Sequence, residues 1–308
     1  AQFGVSVSLR GDVAVIGASE ADCDAGESCG AAYIYRFNGS TWVEEQRLSA
    51  SDGRAYDRFG SSVAGFGDVA LVGAFWNDCA KGNDCGSAYV FRFDGATWIE
   101  EQKLVASDST AGDFFGYSVS VSKNVAVVGA MLRDCPAGDW CGAAYVFRFN
   151  GSTWVEEQKL TASDVAALEQ FGVAVFVDGN IAIAGAWLQD CAEGTDCGAA
   201  YIYRFNGSTW FEEQKLTAPD AAADDGFGRS VALHGNRAVV GAYRASCPKG
   251  GNCGAAYAYR FNGSTWIEER KLTAPAGAPS DYFGFSVAVT DDLAIVGAYG
   301  DGPPAGSG

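Results

Sequence analysis

The chain has 308 residues, of which 48% are hydrophobic, with 38 acidic against 21 basic side chains and a net charge of −17. That balance argues against nucleic acid and anionic membrane surfaces as partners, because both select basic patches. With no run of 18 apolar residues there is also no membrane insertion by a helix. Acidity of this size suits a secreted protein, a calcium binder, or a surface kept soluble by its charge. The sequence opens at Ala1-Gln2 with no Met and no apolar leader, as in a chain processed or cut from a longer one.

Phe-Gly dipeptides stand at Phe3-Gly4, Phe59-Gly60, Phe115-Gly116, Phe171-Gly172, Phe227-Gly228 and Phe283-Gly284, always 56 residues apart. Gly-Ala recurs with the same period at Gly17-Ala18, Gly73-Ala74, Gly129-Ala130, Gly185-Ala186, Gly241-Ala242 and Gly297-Ala298. A period of this length means a propeller, a solenoid or an array, in which no repeat buries its own apolar surface alone.

Residues 59–114 represent the unit. A weakly alternating stretch from Phe59 reaches the turn Gly67-Asp68, and Val69–Ala74 then reads as a short strand buried on both faces. After a cysteine loop, Ser87–Phe93 places Tyr89, Phe91 and Phe93 on one face. The turn Asp94-Gly95, Asn-Gly in the four other complete repeats, signals a hairpin. Trp98–Leu104 is a fourth strand whose charges suit a solvated outer edge. The expected fold class is all-β: four-stranded antiparallel sheets repeated radially as the blades of a β-propeller.

The ten cysteines form one C-x5-C per complete repeat: Cys23 with Cys29, Cys79 with Cys85, Cys135 with Cys141, Cys191 with Cys197 and Cys247 with Cys253. Zinc sites favour C-x2-C pairs or histidines, and His234 is the single histidine, so five local disulfides are expected. Bridges across such short loops should stiffen the loops more than they hold the fold. They place the chain outside the reducing cytosol, extracellular or at a cell surface, with the periplasm as the alternative.

The pattern FG-x-SV-x-V, VA-x-VGA, AYVFRF-x-G-x-TW-x-EEQKL-x-ASD resembles the FG-GAP repeats of bacterial and algal surface proteins, and more distantly the integrin α-subunit propeller. The resemblance spans residues 1–308 as one domain, with repeats starting near 3, 59, 115, 171 and 227 and a half repeat at 283–308. It implies extracellular adhesion or ligand binding, with a glycan or an extracellular protein as partner. Integrin-type D-x-D-x-D-G calcium loops are missing: the link between the first two strands is only Arg10-Gly11-Asp12 or Gly67-Asp68. The half repeat, with Pro303 where a cysteine would fall, predicts six blades with an incomplete last one. A fragment of a six- or seven-bladed ring is the alternative. An open last blade could also pair with another chain, giving self-association.

Strand order puts the disulfide loops and the links between repeats at one end of the sheets, and the Asn-Gly and Gly-Asp turns at the other. The first end carries Asp52 with Asp57, Asp108 with Asp113, Asp164 with Glu169, Asp220 with Asp225, and Asp281, at fixed offsets before each Phe-Gly. These are candidates for Ca2+, or for bonds to the amides of their own loops. After each Gly-Ala the repeat varies: Ser19, Phe75, Met131, Trp187, Tyr243 and Tyr299, with Trp76 and Trp140 in the same loops. Large residues at such positions are candidate ligand contacts, suited to stacking on sugars, or they pack each loop on the next blade. Tyr33, Tyr35, Phe37 and Trp42 and their counterparts read as core and hairpin packing. Asn38, Asn150, Asn206 and Asn262 head N-G-S sequons that are also ordinary turns. Adjacent glutamates such as Glu44-Glu45 should point to opposite faces, the wrong geometry for a paired acid/base site. With a lone histidine and no G-x-S-x-G, the chain reads as non-enzymatic. It is either an adhesive or ligand-binding module or a structural subunit of an extracellular assembly.

Overall fold

In a computed structural model, which describes residues 2–300, the chain is all-β with no helix among the described residues. It comprises five four-stranded antiparallel sheets and one two-stranded sheet, each with its strands in sequence order. The chain divides into two compact units, Ala1–Thr161 and Ala162–Gly308. Pro303 and the Gly/Pro tail lie outside the described residues.

The first unit holds three sheets. The first is Phe3–Arg10, Val13–Ala18, Ala31–Phe37 and Trp42–Leu48; the second is Ser62–Phe66, Val69–Ala74, Ser87–Phe93 and Trp98–Leu104; the third is Phe115–Ser122, Val125–Ala130, Ala143–Phe149 and Trp154–Leu160. The second unit holds Val175–Asp178, Ile181–Ala186, Ala199–Phe205 and Trp210–Leu216, then Phe227–His234, Arg237–Ala242, Ala255–Phe261 and Trp266–Leu272, and finally the pair Phe283–Val289 and Ala294–Ala298.

The second strand of the second sheet is small and apolar because both of its faces are covered, and every residue of Val69–Ala74 is buried. Within the first unit, Leu71, Val90 and Leu104 of the second sheet share one core with Phe115, Val128 and Tyr145 of the third. Burying a side chain such as Phe115 stabilises by roughly 1.5–3 kcal/mol, which no single thin sheet obtains without its neighbour. The backbone interlocks as well. A Cβ on Gly17 would stand 1.9 Å from the Gly60 carbonyl oxygen, and one on Gly241 the same distance from Gly284. Gly17, Gly73, Gly185 and Gly241 of the Gly-Ala pairs thus meet Gly60, Gly116, Gly228 and Gly284 of the following Phe-Gly, and both must be glycine for these sheets to approach.

One expectation changes. The aromatics of the first sheet are not all core: Phe37 is 39% and Trp42 43% exposed, whereas their counterparts Trp98 and Trp154 are each 3% exposed. Within its unit the first sheet packs on a neighbour from one side only, and Phe3, Val7 and Leu9 are exposed with it. The hairpins expected at the Asn-Gly turns form, with residues 38–41 between strands that stop at Phe37 and resume at Trp42. Asn38 Oδ1 accepts the Ser40 and Thr41 amides, both at 3.0 Å, and so supplies the closure that a tighter turn would take from the backbone. The fourth strand also carries a bulge: Val90 faces Gln102 but Phe91 faces Glu100, leaving Glu101 as the extra residue. The adjacent glutamates still turn to opposite faces, as expected, Glu100 to Ser51 and Glu101 to Trp154, while the bulge lets Gln102 share the face of Glu101.

Candidate functional site

The charged fourth strand is a set of latches rather than a solvated edge. Gln102 Nε2 donates to the Trp154 carbonyl oxygen and Gln102 Oε1 accepts the Trp154 amide, both at 2.8 Å. Glu101 accepts Trp154 Nε1 at 3.0 Å while holding the Arg92 guanidinium of its own sheet. Glu100 takes the Ser51 amide and hydroxyl, both at 2.8 Å, and so fixes the link that enters its sheet. Gln46 with Trp98 and Gln214 with Trp266 repeat the first of these.

At the loop end, all five expected disulfides are formed: Cys23 with Cys29, Cys79 with Cys85, Cys135 with Cys141, Cys191 with Cys197 and Cys247 with Cys253. Their Cα atoms are 5.8–5.9 Å apart, and no described cysteine is free. The loops they close also reach the next sheet. The second cysteine of every pair, Cys29, Cys85, Cys141, Cys197 and Cys253, is buried. The carbonyl oxygens of Cys29, Cys85, Cys197 and Cys253 accept the amides of Phe59, Phe115, Phe227 and Phe283, the phenylalanines that open the following Phe-Gly. The closed loops are therefore docking frames. In the second repeat, Asn83 and Asp84 add carbonyl oxygens for the amides of Gly112 and Phe114, aligning the link that leads into the next sheet.

The carboxylates beside these loops are held by donors of the protein itself. Asp52 accepts the Tyr89 hydroxyl and the Lys103 ammonium, each at 2.7 Å; Asp108, Asp164 and Asp220 accept Tyr145 and Lys159, Tyr201 and Lys215, and Tyr257 and Lys271. Burial raises the Asp52 carboxyl, but the bonds from Lys103 and Tyr89 outweigh it and hold it below the usual range; the same balance applies to Asp108, Asp164 and Asp220. Their partners in the loop are buried and bond the amide three residues earlier: Arg54 to Asp57, Thr110 to Asp113, Ala166 to Glu169, Ala222 to Asp225 and Ala278 to Asp281. Burial pushes the carboxyls of Asp57, Glu169 and Asp225 up.

Calcium does not fit this donor set. Lys103 Nζ lies between Asp52 Oδ2 and Asn77 Oδ1, at 2.7 and 2.8 Å, where a cation would have to sit. Among the described residues no group of three or more acidic, His or Cys side chains could hold a metal ion. The lysines that fill these places lie 51 residues from their aspartates, and no local motif announces them.

The variable aromatics gather into two clusters, one in each unit. In the first, Phe75 meets Trp76, Phe114 and Tyr117 with centroids 5.3–5.7 Å apart, and Arg58 stands 4.5 Å over Trp76. In the second, Trp187 meets Tyr243, which meets Tyr282 and Phe285; Tyr299 stacks on Tyr282 at 5.2 Å. Neither cluster includes Met131 or Trp140, for which no ring contact with them is seen. Trp140 is 48% exposed at a disulfide-loop position with φ of 55°, where the other repeats carry Ser28, Asp84, Asp196 and Asn252. Arg58, Phe114, Tyr117, Arg229, Tyr282 and Phe285 were not among the expected site residues. They flank Phe-Gly, and their variation around a fixed dipeptide is the signal that marks them.

At the opposite end, Asn38, Asn150, Asn206 and Asn262 stand on exposed hairpins, each accepting the two amides that follow its glycine. His234 lies 3.6 Å from Asp291 Oδ1.

The model of the FG-GAP repeat matches residues 1–35, 42–91, 98–147, 154–203, 210–259 and 266–308. The chain belongs to the FG-GAP repeat family. A search of the curated proteins finds no match. The stretches left out, 36–41 and its counterparts, contain the Asn-Gly turns, so the FG-GAP unit runs from a fourth strand through the next three. That unit contains the Gln and Glu latches together with the Phe-Gly and Gly-Ala pair they serve. FG-GAP periodicity here is thus a periodicity of contacts between sheets.

Proposed function

We propose that the FG-GAP sheets are the blades of a six-bladed propeller with a short last blade, and that the chain is an extracellular ligand-binding module. In this reading it binds, rather than transforms, a glycan or an extracellular protein at the disulfide-loop end. The observation that carries it is the pair of aromatic and guanidinium clusters at positions where an otherwise uniform repeat varies. Latches and core recur from repeat to repeat because the scaffold needs them; Phe75, Trp76 and Trp187 are copied nowhere else, and Tyr243 only by Tyr299. Aromatic faces suit sugar rings and apolar side chains alike. The five disulfides support an oxidising location.

A glycan and matrix-protein array probed with the chain and with a Phe75→Ala/Trp187→Ala variant tests the reading. Binding that the variant loses is expected; binding unchanged by it would remove the clusters from the site.

A second reading, a structural subunit, is favoured by one feature. Ala294–Ala298 is an edge strand without charge among the described residues, and beside it Leu293 is 58% and Ile295 60% exposed. Such an edge accepts strands from another copy. Light scattering over a concentration series separates the two, a discrete particle for the binder and growing mass for the subunit.

A further inference from the structure

We propose that the aromatic cluster of the second unit is a subsite for an acidic saccharide, its carboxylate or sulfate held by Arg229 and Arg244 and its ring stacked on Tyr299. This rests on the ligand-binding reading above and names the ligand class.

Two guanidiniums converge on the cluster. Arg244 stands 5.0 Å over Trp187 and 5.1 Å over Tyr243, and Arg229 stands 5.0 Å over Phe285. Both act on the Tyr243 hydroxyl, which burial raises and the two positive charges pull back. Several arginines pair with carboxylates, as Arg36 does with Glu45, Arg92 with Glu101, Arg148 with Glu157 and Arg204 with Glu213, whereas Arg10, Arg47, Arg54 and Arg270 form no such ion pair among the described residues. Neither Arg229 nor Arg244 has a carboxylate within 4.0 Å among the described residues. Asp196 feels the Arg244 charge without reaching that distance. Arg244 also hydrogen-bonds the Tyr243 hydroxyl, which holds its guanidinium in place while its remaining in-plane N–H groups can meet a planar or tetrahedral anion.

Both residues depart from the repeat. Where Arg244 stands, the others have Glu20, Trp76, Leu132, Leu188 and Gly300; where Arg229 stands, they have Val5, Ser61, Tyr117, Val173 and Phe285. The residue before Phe-Gly departs as well. Gly226, at φ of 64°, replaces the side chain that the other repeats carry before Phe-Gly, and a Cβ there would stand 3.0 Å from Tyr243 Cε1 and 3.5 Å from Trp187 Cε3. Beside the guanidiniums, Tyr282 and Tyr299 lie nearly parallel at 16°, with Tyr299 66% exposed as an open ring face. A ring face beside paired cations matches a sugar that carries an anion. A long polyanion would meet the repulsion of the −17 net charge, whereas a short saccharide lies within about one Debye length of the two arginines.

The test is calorimetry on the full chain with three oligosaccharides of equal length: a galacturonate hexamer, a chondroitin sulfate hexamer and a neutral galactose hexamer. At least one acidic hexamer should bind about tenfold or more tightly than the neutral one and lose that advantage in Arg229→Gln/Arg244→Gln. Arg244→Lys, which keeps the charge but loses the fork, should fall between, and melting temperatures near the parent value confirm that the variants are folded. Which acidic hexamer binds separates carboxylate from sulfate. Neutral and acidic hexamers bound equally, with no effect of the arginine substitutions, would overturn the acidic assignment and leave the binding reading standing. Failure of every saccharide, here and on the array, would overturn the acidic assignment and the glycan form of that reading together.

Discussion

A Cβ placed on Gly73 would stand 2.0 Å from the carbonyl oxygen of Gly116. The two glycines belong to successive repeats, one from a Gly-Ala and one from a Phe-Gly, so the two most regular dipeptides of the sequence touch each other. Their recurrence follows from backbone-to-backbone approach, which no side chain permits.

Gly73→Ala should therefore destabilise the chain by about 3 kcal/mol or more, since the obstruction is backbone and cannot swing away. Gly95→Ala is the control. It has φ of 100° with nothing within 4 Å of its Cβ, so only conformational strain of about 1–2 kcal/mol applies. Denaturant melts of both variants check the order; equal losses would mean that close approach is unimportant.

Gln102→Ala removes two bonds to the Trp154 backbone at once. Trp154 is 3% exposed, so the freed amide and carbonyl are poorly placed to reach water. A loss of about 2 kcal/mol is expected. Gln102→Glu, which accepts but cannot donate, should lose part of that. Chemical denaturation of the two variants measures the difference.

The aspartate latches give a signed pH dependence. Asp108 is raised by burial, yet the bonds from Lys159 and Tyr145 leave its folded carboxyl below the unfolded value. Its stabilisation is therefore present at neutral pH and is lost as the pH falls through the depressed value. Asp108→Asn should destabilise at pH 7, and its difference from the parent should shrink towards zero under acid conditions. A difference that grows on acidification would contradict the assignment. Asp57 has the opposite sign: burial raises it, so its contribution is greatest in acid and is lost as the pH rises through its folded value.

A chelator should leave the melting temperature unchanged. The places a calcium ion would take beside Asp52, Asp108, Asp164 and Asp220 are occupied by lysine ammonium groups. A drop in EDTA, reversed by added calcium, would mean that these lysines give way to the ion.

Much of the fold was legible because it is written in local chemistry. Val69–Ala74 has only small apolar residues, and Cys79 and Cys85 lie close enough in sequence to pair without tertiary knowledge. Their reach beyond the loop, through the Cys85 carbonyl oxygen to Phe115, is a backbone contact that no side chain signals. Phe-Gly and Gly-Ala were visible as spacing, though not as a mutual contact. What the sequence did not disclose is long-range polar pairing. Gln102 finds Trp154 at a separation of 52 and Lys103 finds Asp52 at 51, so a strand rich in charge looked like a solvated edge. The bulge at Glu101, which directs that residue to both Arg92 and Trp154, leaves no compositional mark. The site was half legible: residues after Gly-Ala drew notice through their size, while Arg58, Tyr117 and Arg229 became relevant only once Phe-Gly proved to lie beside them.

The central claim is that neighbouring sheets of a unit hold one another through contacts repeated every 56 residues. Native-state hydrogen exchange on Gln102→Ala tests it most directly. The claim predicts that protection falls together in Trp98–Leu104 of the second sheet and Trp154–Leu160 of the third. Faster exchange confined to the second sheet, with the third at parent values, would contradict it.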